Sequence, residues 1–214
     1  MTALDVHVHR WVPPRANGAP TLLLLHGTGG DENDLLSLGE MLRPGAGMLS
    51  PRGNVLEHGA PRFFRRLAEG VFDLDDLRRR TDELADFITA ASERYGFPLD
   101  SVCAVGYSNG ANIAGSVLLS RPEVIASAVL LRAMVPFEPT EAPSLAGKRI
   151  LISAGRSDPL IPQAGTERLA AILREGGAEV ELAWQDASHG LVQADIRAAR
   201  VFLDRVLASA KDSE

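Results

Sequence analysis

The sequence has few of the features that mark several common classes of protein. Its one cysteine, Cys103, excludes an internal disulfide and most structural zinc sites and fits a reducing compartment. Its 22 Lys and Arg stand against 28 Asp and Glu, a net charge of −6 that argues against nucleic-acid binding. No apolar run approaches the roughly 18 residues needed to cross a bilayer, and the first residues lack the pattern of a secretion signal. We therefore expect a cytoplasmic protein that binds neither nucleic acid nor membranes.

The sequence does contain a regular alternation of short apolar runs and amphipathic segments. Five runs have the apolar, β-rich character of strands: 21–25, 102–105, 125–131, 148–154 and 180–184. Helical periodicity appears at 33–42, 73–95, 113–119, 166–174 and 193–207. The 214 residues are enough for one substantial core and short for two. This pattern predicts a single α/β domain over residues 1–214, with one doubly wound, mostly parallel sheet flanked by helices.

The N-terminal segment from Leu4 to Val12 alternates apolar and polar residues, which predicts a half-buried strand. His7 and His9 would share the face opposite the apolar residues. Two histidines at this spacing can hold a metal, but no third ligand lies nearby in the sequence. We therefore expect both side chains to face solvent and predict no metal site.

The most informative stretch runs from Ser101 to Ala114 and reads SVCAVGYSNGANIA. A β-rich run leads into a G-x-S-x-G pattern, and a helical pattern follows it, as in the nucleophile elbow of hydrolases. A Cβ at Gly106 or Gly110 would collide with the turned chain. Strain at Ser108 would lift its hydroxyl clear of the sheet, beside a helix N-terminus. The pattern therefore predicts a nucleophilic Ser108; an ordinary glycine-rich turn is the alternative.

A second glycine-rich loop, HGTGGDEN, follows the predicted strand at 21–25 and spans 26–33. Backbone N–H groups in such a loop can point at an anion. A phosphate loop would need a Lys and a Ser or Thr after the last glycine, and here acidic residues follow. Upstream of a nucleophile elbow, the loop is best interpreted as one that donates an N–H to an oxyanion, although a plain turn stays possible.

A serine nucleophile needs a general base and an acid that orients it, in the chain order serine, acid, histidine for this kind of fold. Of the five histidines, His189 is the one that lies after Ser108, and it falls between the last predicted strand and the last helix. Asp158 directly follows a predicted buried strand, 50 residues after the serine and 31 before the histidine. Asp186 is the rival acid, but it lies too close to His189 along the chain to orient the ring from the far side.

The walls of the site are less well defined by the sequence. The run 51–68 combines aromatic and basic residues in a long irregular segment. It either forms a wall of a pocket or packs Phe63 and Phe64 locally, with the arginines in solvent. An apolar loop beginning at Met134 leaves the carboxyl end of a strand, where ligands sit in open α/β sheets. We expect a small, exposed pocket lined by Thr28, Phe63, Met134 and Leu191 that favours short acyl chains.

Taken together, the motifs HGTGGDE, SPRG, RFFRRL, GYSNGAN, GRSDPLIP and SHGL resemble the phospholipase/carboxylesterase family of small α/β-hydrolases. The similarity runs from Thr21 to Leu207 in the expected order and is greatest to the bacterial carboxylesterase branch. The resemblance implies an α/β-hydrolase fold with little or no lid and no metal or organic cofactor. It also implies small-molecule ester substrates with short acyl groups, and a homodimer.

The same resemblance implies a role for individual residues. Ser108 would be the nucleophile, Asp158 the acid and His189 the base, with the backbone N–H groups of Thr28 and Asn109 as the oxyanion hole. Many relatives that act on lysophospholipids or acyl-proteins have Gln after the nucleophile, where this chain has Asn109. That difference argues against those substrates and leaves the backbone N–H unaffected.

These observations predict a serine carboxylesterase that acts on small esters through an acyl-enzyme. A lysophospholipase or acyl-thioesterase could use the same triad, and cofactor-free oxygenases and haloperoxidases also use it on this fold. A dienelactone-hydrolase-like enzyme would have cysteine at the apex of the elbow, whereas Cys103 lies five residues earlier. A non-catalytic binding protein is the rival outside enzymology, but such proteins usually lack a member of the triad.

Overall fold

A computed structural model describes residues 2–209 of the chain. The strands are β1 (His9–Val12), β2 (Thr21–Leu25), β3 (Gly47–Pro51), β4 (Val55–Glu57), β5 (Ala60–Arg62), β6 (Arg66–Ala68), β7 (Val71–Phe72), β8 (Val102–Tyr107), β9 (Ser127–Leu131), β10 (Arg149–Gly155) and β11 (Glu179–Gln185). The α-helices are α1 (Leu36–Leu42), α2 (Leu74–Tyr95), α3 (Asn109–Ser120), α4 (Gln163–Glu175) and α5 (Gln193–Ser209).

Seven of the strands form one central sheet in the order β1-β3-β2-β8-β9-β10-β11. All neighbours pair in parallel except β1, which runs antiparallel to β3 at one edge. Strand β2 is buried along its whole length, as its uninterrupted apolar run predicts. The predicted mostly parallel α/β-hydrolase sheet is therefore confirmed.

Helices cover both faces of this sheet, because alternate side chains of each strand enter opposite layers. Leu23 and Leu25 of β2 pack into the core beneath α2, α3 and α4. Leu22 and Leu24 pack into the second core, which α1 and α5 cover. The sheet is thus doubly wound, as the alternation of strands and helices predicts.

The order of the strands changes direction between β2 and β8. The chain passes from β2 to β3 on one side and then returns to place β8 on the other side of β2. In an open α/β sheet, the carboxyl ends of the two strands at such a switch flank a crevice where ligands bind. Thr28 follows one of these strands and Ser108 the other, so the topology brings the two predicted loops side by side.

The N-terminal segment differs from its prediction. Residues Ala3–Val6 form a 3₁₀ helix, and the strand begins only at His9. The carboxylate of Asp5 accepts hydrogen bonds from both the backbone N–H and the hydroxyl of Thr2, each at 2.8 Å, which favours a helical turn over an extended strand.

The expectation that His7 and His9 face solvent is wrong. The ring of His7 is 4% exposed and lies 5.1 Å from the ring of Phe87. Its Nδ1 lies 2.8 Å from the carbonyl oxygen of Arg52. His9 is half-buried, with its Nε2 2.7 Å from the hydroxyl of Tyr95. Both histidines are covered by aromatic residues of α2, because Phe87 packs against each ring and Tyr95 also packs against that of His9.

The predicted irregular run 51–68 contains one small antiparallel hairpin, β4–β5, and the first strand of a second, β6–β7, which extends beyond the run. His58 and Gly59 connect the first pair with φ values of 51° and 84°, the two positive angles of a type I′ turn. The turn has His-Gly in place of Asn-Gly, so the sequence lacks the usual signal for the hairpin. None of the helices in residues 2–209 combines the length and apolar character that crossing a bilayer requires.

Candidate active site

Ser108 lies at the sharp turn between β8 and α3, with φ 52° and ψ −114°. This is a sparsely populated conformation for a residue with a side chain. A Cβ at Gly106 would lie 2.6 Å from the carbonyl oxygen of Gly110, and one at Gly110 would overlap the carbonyl oxygen of Leu25. The steric reason predicted for both glycines is therefore confirmed.

A chain of hydrogen bonds connects three side chains at this turn. The Nε2 of His189 lies 2.9 Å from the hydroxyl oxygen of Ser108, and its Nδ1 lies 2.8 Å from Oδ2 of Asp158. The other oxygen of Asp158 accepts from the backbone N–H groups of Leu160 and Ile161, at 2.9 and 3.3 Å. The Asp158 carboxylate accepts a hydrogen bond from the N–H at Nδ1, so Nε2 faces the serine as an acceptor.

The rival acid, Asp186, does not reach this site. Its side chain is 96% exposed and pairs with Arg156 at 3.4 Å. The side chain of Asp158, in contrast, is 1% exposed, while that of His189 is 21% exposed. A buried carboxylate beside a partly open imidazole is the arrangement in which the acid orients the base and the base meets substrate.

The two predicted oxyanion-hole residues line the same cavity as Ser108. Asn109 is the first residue of α3, and the first N–H groups of a helix lack partners within the helix and carry the positive end of its dipole. The hydroxyl of Thr28 accepts a hydrogen bond from Nη1 of Arg62 at 2.7 Å. The side-chain oxygen of Asn109 accepts from the N–H of Phe63 at 2.8 Å. Both positions are therefore held by the same short segment at the end of β5.

A cavity of about 270 Å³ opens beside the serine. Apolar side chains cover part of its wall, and three arginines and a glutamate contribute charge. The lining residues are Thr28, Arg62, Arg66, Glu69, Gly70, Phe72, Tyr107, Ser108, Asn109, Asn112, Arg132, Met134, Leu160, Ile161 and His189.

Of the predicted pocket residues, Thr28 and Met134 line this cavity. Phe63 does not: it is 1% exposed and its ring packs 4.7 Å from the ring of His26, beneath the site. Leu191 is also absent from the wall, because it packs against the core under α5. Both expectations are wrong for the same reason. Each residue is apolar and packs against a neighbouring part of the hydrophobic core instead of facing the cavity.

The two open interpretations of the run 51–68 each hold for different residues. Phe63 and Phe64 pack into the core, whereas Arg62 and Arg66 lie on the cavity wall. Both guanidinium groups contact the carboxylate of Glu57, at 3.3 and 2.7 Å. Hydrogen bonding from Arg66 lowers the pKa of Glu57, and burial lowers the pKa of Arg62.

Several residues of the site were not identified from the sequence. Asn112 stands one turn into α3 among apolar and small residues, and its side-chain oxygen accepts from the N–H of Met134 at 2.8 Å. Arg132 directly follows the buried strand β9 and is itself fully buried. A polar residue in an otherwise apolar run was the available signal in both cases. Within residues 2–209, His, Cys, Asp and Glu side chains form no group of three that could hold a metal ion.

A serine, an aspartate and a histidine in this order, on a doubly wound sheet with the serine at a strained turn, define a hydrolase of the α/β-hydrolase fold. The chain belongs to the dienelactone hydrolase family, whose model matches residues 59–211. The family match holds with Ser108 at the apex and Cys103 buried in β8. Cysteine at the apex is therefore not required for membership, and its absence does not separate this chain from the family.

The chain is similar to hydrolases and carboxylesterases of bacteria. It is 51% identical over 179 residues to the hydrolase MhqD of Bacillus subtilis (strain 168), covering 84% of this chain and 90% of the relative. A carboxylesterase of Bacillus cereus superimposes with a TM-score of 0.91 at 44% identity over 94% of each chain. A carboxylesterase of Mesorhizobium loti superimposes with a TM-score of 0.88 at 31% identity, over 93% of this chain and 95% of that one. The resemblance to bacterial carboxylesterases is therefore confirmed.

Proposed function

We propose that the protein is a serine carboxylesterase that hydrolyses small carboxylic esters through Ser108, His189 and Asp158. The observation that carries this proposal is the chain of two hydrogen bonds at 2.9 and 2.8 Å that links the three side chains. The similarity to carboxylesterases supports an ester as the substrate class.

The mechanism follows from the positions of these groups. Nε2 of His189 takes the proton of the Ser108 hydroxyl as its oxygen attacks the ester carbonyl. The backbone N–H groups of Thr28 and Asn109 stabilise the negative charge that develops on the carbonyl oxygen. His189 then protonates the departing alkoxide, leaving an acyl-enzyme that a water molecule hydrolyses in the same two steps. Asp158 fixes the tautomer of the imidazole and stabilises its protonated form.

The size of the cavity supports short acyl groups. Its volume of about 270 Å³ lies just below the range of about 300–1,000 Å³ that is typical of ligand pockets. Phe72, Met134 and Leu160 provide apolar wall for an acyl or alcohol group. A long acyl chain would extend past these residues into solvent and would gain little from further contacts.

The test is hydrolysis of the p-nitrophenyl esters of acetate, butyrate, octanoate and dodecanoate by the wild type and Ser108→Ala. We expect the highest kcat/KM on the two shorter esters and a loss of about 10⁴-fold or more in the variant. Ser120→Ala, which changes an exposed serine at the end of α3, is the matched control and should keep full activity.

Other outcomes would support the alternatives. Substantial turnover by Ser108→Ala would overturn the assignment of the nucleophile. Faster hydrolysis of a lysophospholipid or an acyl-thioester than of any short ester would make those the substrate class. A wild type that neither turns over esters nor is labelled by a fluorophosphonate would favour a binding role.

A further inference from the structure

A buried ion pair lies behind the proposed triad. Arg132 follows β9, and its Nη1 and Nη2 donate to the two carboxylate oxygens of Asp195 at 2.7 and 2.9 Å. The side chains are 0% and 1% exposed. Asp195 also accepts from the Ser153 hydroxyl at 2.7 Å and from the Val192 N–H at 2.8 Å. The carboxylate is therefore fully satisfied and fixes the guanidinium in one orientation.

The same guanidinium holds the backbone on both sides of His189. Its Nε donates to the carbonyl oxygen of Ser188 at 3.1 Å, and its Nη2 donates to that of Gly190 at 2.9 Å. The carbonyl oxygen of His189 itself accepts from the hydroxyl of Tyr107 at 3.2 Å. Three successive peptide groups of an exposed loop are thus anchored to buried or half-buried side chains.

We infer that Arg132, oriented by Asp195, is a positioning residue for the general base. By fixing the peptide groups before and after His189, it keeps the imidazole aligned between Ser108 and Asp158. This inference rests on the proposed function, because it assigns a purpose to the alignment of the base.

The backbone of Arg132 supports a dedicated role. Its φ of 58° lies in the left-handed region, which a long side chain rarely adopts. Such conformations persist where the surroundings determine them, and they cluster at functional sites. Here the N–H of Arg132 donates to the carbonyl oxygen of Ser153 at 2.9 Å, so the turned backbone aims the side chain at the loop of His189.

A role in stability alone does not explain the arrangement. Removing two charges from water offsets much of the attraction between them, so a buried ion pair adds little net stability compared with apolar packing. Lysine could neutralise Asp195 but lacks the planar fork that reaches the carboxylate and both carbonyl groups. Arg132→Lys therefore separates the charge of the side chain from its geometry.

The test compares Arg132→Lys with Arg80→Lys, which alters a largely buried arginine that pairs with Glu83 of α2 at 2.7 Å, outside the cavity wall. Three quantities are measured: kcat on p-nitrophenyl butyrate, KM for the same ester, and the low-field proton NMR resonance of Nδ1–H of His189. We expect Arg132→Lys to lower kcat about 10²-fold, to change KM little, and to shift or broaden the resonance. Arg80→Lys should leave all three unchanged.

An Arg132→Lys enzyme with the wild-type kcat and resonance would overturn the inference. Equal losses of activity in both variants, with the resonance of His189 intact, would also overturn it, because they would indicate general destabilisation. If Arg132→Lys does not fold, Asp195→Asn removes the charge that orients the guanidinium, and a wild-type kcat in that variant would contradict the inference. If the wild type hydrolyses no ester, the proposed function fails, and the NMR resonance still reports whether Arg132 positions the ring.

Discussion

At the scale of single residues, the site depends on two glycines, Gly106 and Gly110. At each of them another part of the backbone passes too close for a Cβ atom to fit. The turn at Ser108 is strained, and residues in such conformations typically cost about 1–3 kcal/mol. That strain is tolerable because Gly106 and Gly110 leave room for the crossing backbone. The position of Ser108, the proposed nucleophile, therefore depends on the absence of a Cβ atom at both glycines.

Gly110→Ala is expected to prevent stable folding. The new Cβ would overlap the carbonyl oxygen of Leu25, a backbone atom of the central strand that cannot move independently. We expect a loss of about 4 kcal/mol or more in the free energy of unfolding, measured by urea denaturation, or no folded protein at all. Gly165→Ala in α4, where a Cβ meets nothing within 4 Å, is the matched control and should add about 0.5–1 kcal/mol. Equal stability of the two variants would contradict the steric argument.

Cys103 is expected to be unreactive in the folded protein. Burial raises the pKa of its thiol to about 12, so almost no thiolate forms near neutral pH. Intact-mass measurement after incubation with iodoacetamide at about pH 8, near the pKa of an ordinary thiol, should show no adduct and no loss of activity. The same treatment in urea should modify the residue completely. Rapid modification of the native enzyme would show that β8 opens easily.

At the scale of secondary structure elements, the cluster of Ser108, Asp158 and His189 could be predicted because each residue follows a strand of strong apolar character. Ser108 follows β8 and Asp158 follows β10, while His189 follows β11. The carboxyl ends of parallel strands lie at one edge of the sheet, so order along the chain was enough to bring the three together. The distances between the side chains required the structure.

The cavity wall could not be predicted in the same way. The segment that carries Arg62 and Phe63 forms a short hairpin whose turn has an unusual sequence, and adjacent residues there face opposite ways. Which of these residues faces the cavity depends on the register in which β4 and β5 pair. A shift of one residue in that register would turn each side chain to the opposite face. Arg132 was missed because a charged residue at the end of a buried strand usually marks the start of a surface loop.

Helix α2 is expected to depend on its N-cap. The side chain of Asp73 accepts a hydrogen bond from the N–H of Asp76 at 3.1 Å, and it also pairs with Arg65. Asp73→Ala removes both interactions, whereas Asp73→Asn keeps a capping oxygen and removes the charge. We expect Asp73→Ala to lower Tm by about 2–4 °C, measured by circular dichroism, and Asp73→Asn to lower it much less. Equal losses in the two variants would indicate that the ion pair, rather than the cap, stabilises this end.

At the scale of the whole molecule, two buried histidines connect distant parts of the chain. Both His7, which precedes the edge strand β1, and His26 bind the start of the segment 51–68. His26 lies at the end of β2, where its Nε2 accepts from the N–H of Gly53 at 2.9 Å and its Nδ1 lies 2.6 Å from the carbonyl oxygen of Gly27. An Nε2 that accepts a hydrogen bond carries no proton, so this ring is neutral in the folded protein. His7 is also held by one ring nitrogen, and its Nε2 is buried without a partner.

Stability is therefore expected to fall as the solution becomes mildly acidic. Burial lowers the pKa of both His7 and His26 below the value of about 6.5 that histidine has in an unfolded chain. Below that pH the unfolded chain binds protons that the folded protein does not, so the free energy of unfolding decreases as pH falls. The stability that comes from the two neutral buried rings is fully present above about pH 6.5. It is lost as the pH falls below that value and passes through the lowered pKa that each histidine has in the folded protein.

His7→Gln tests this expectation, because glutamine can still donate to the carbonyl oxygen of Arg52 but does not titrate. Between about pH 7.5 and pH 5.5 the wild type should lose more free energy of unfolding in urea than the variant, by up to about 1.4 kcal/mol. His58→Gln, which removes an exposed imidazole, is the control and should follow the wild type. If His7→Gln also loses stability as the wild type does, the buried ring is not the source of the acid sensitivity. The decrease would then have to come from His26 or from the acidic groups of the molecule.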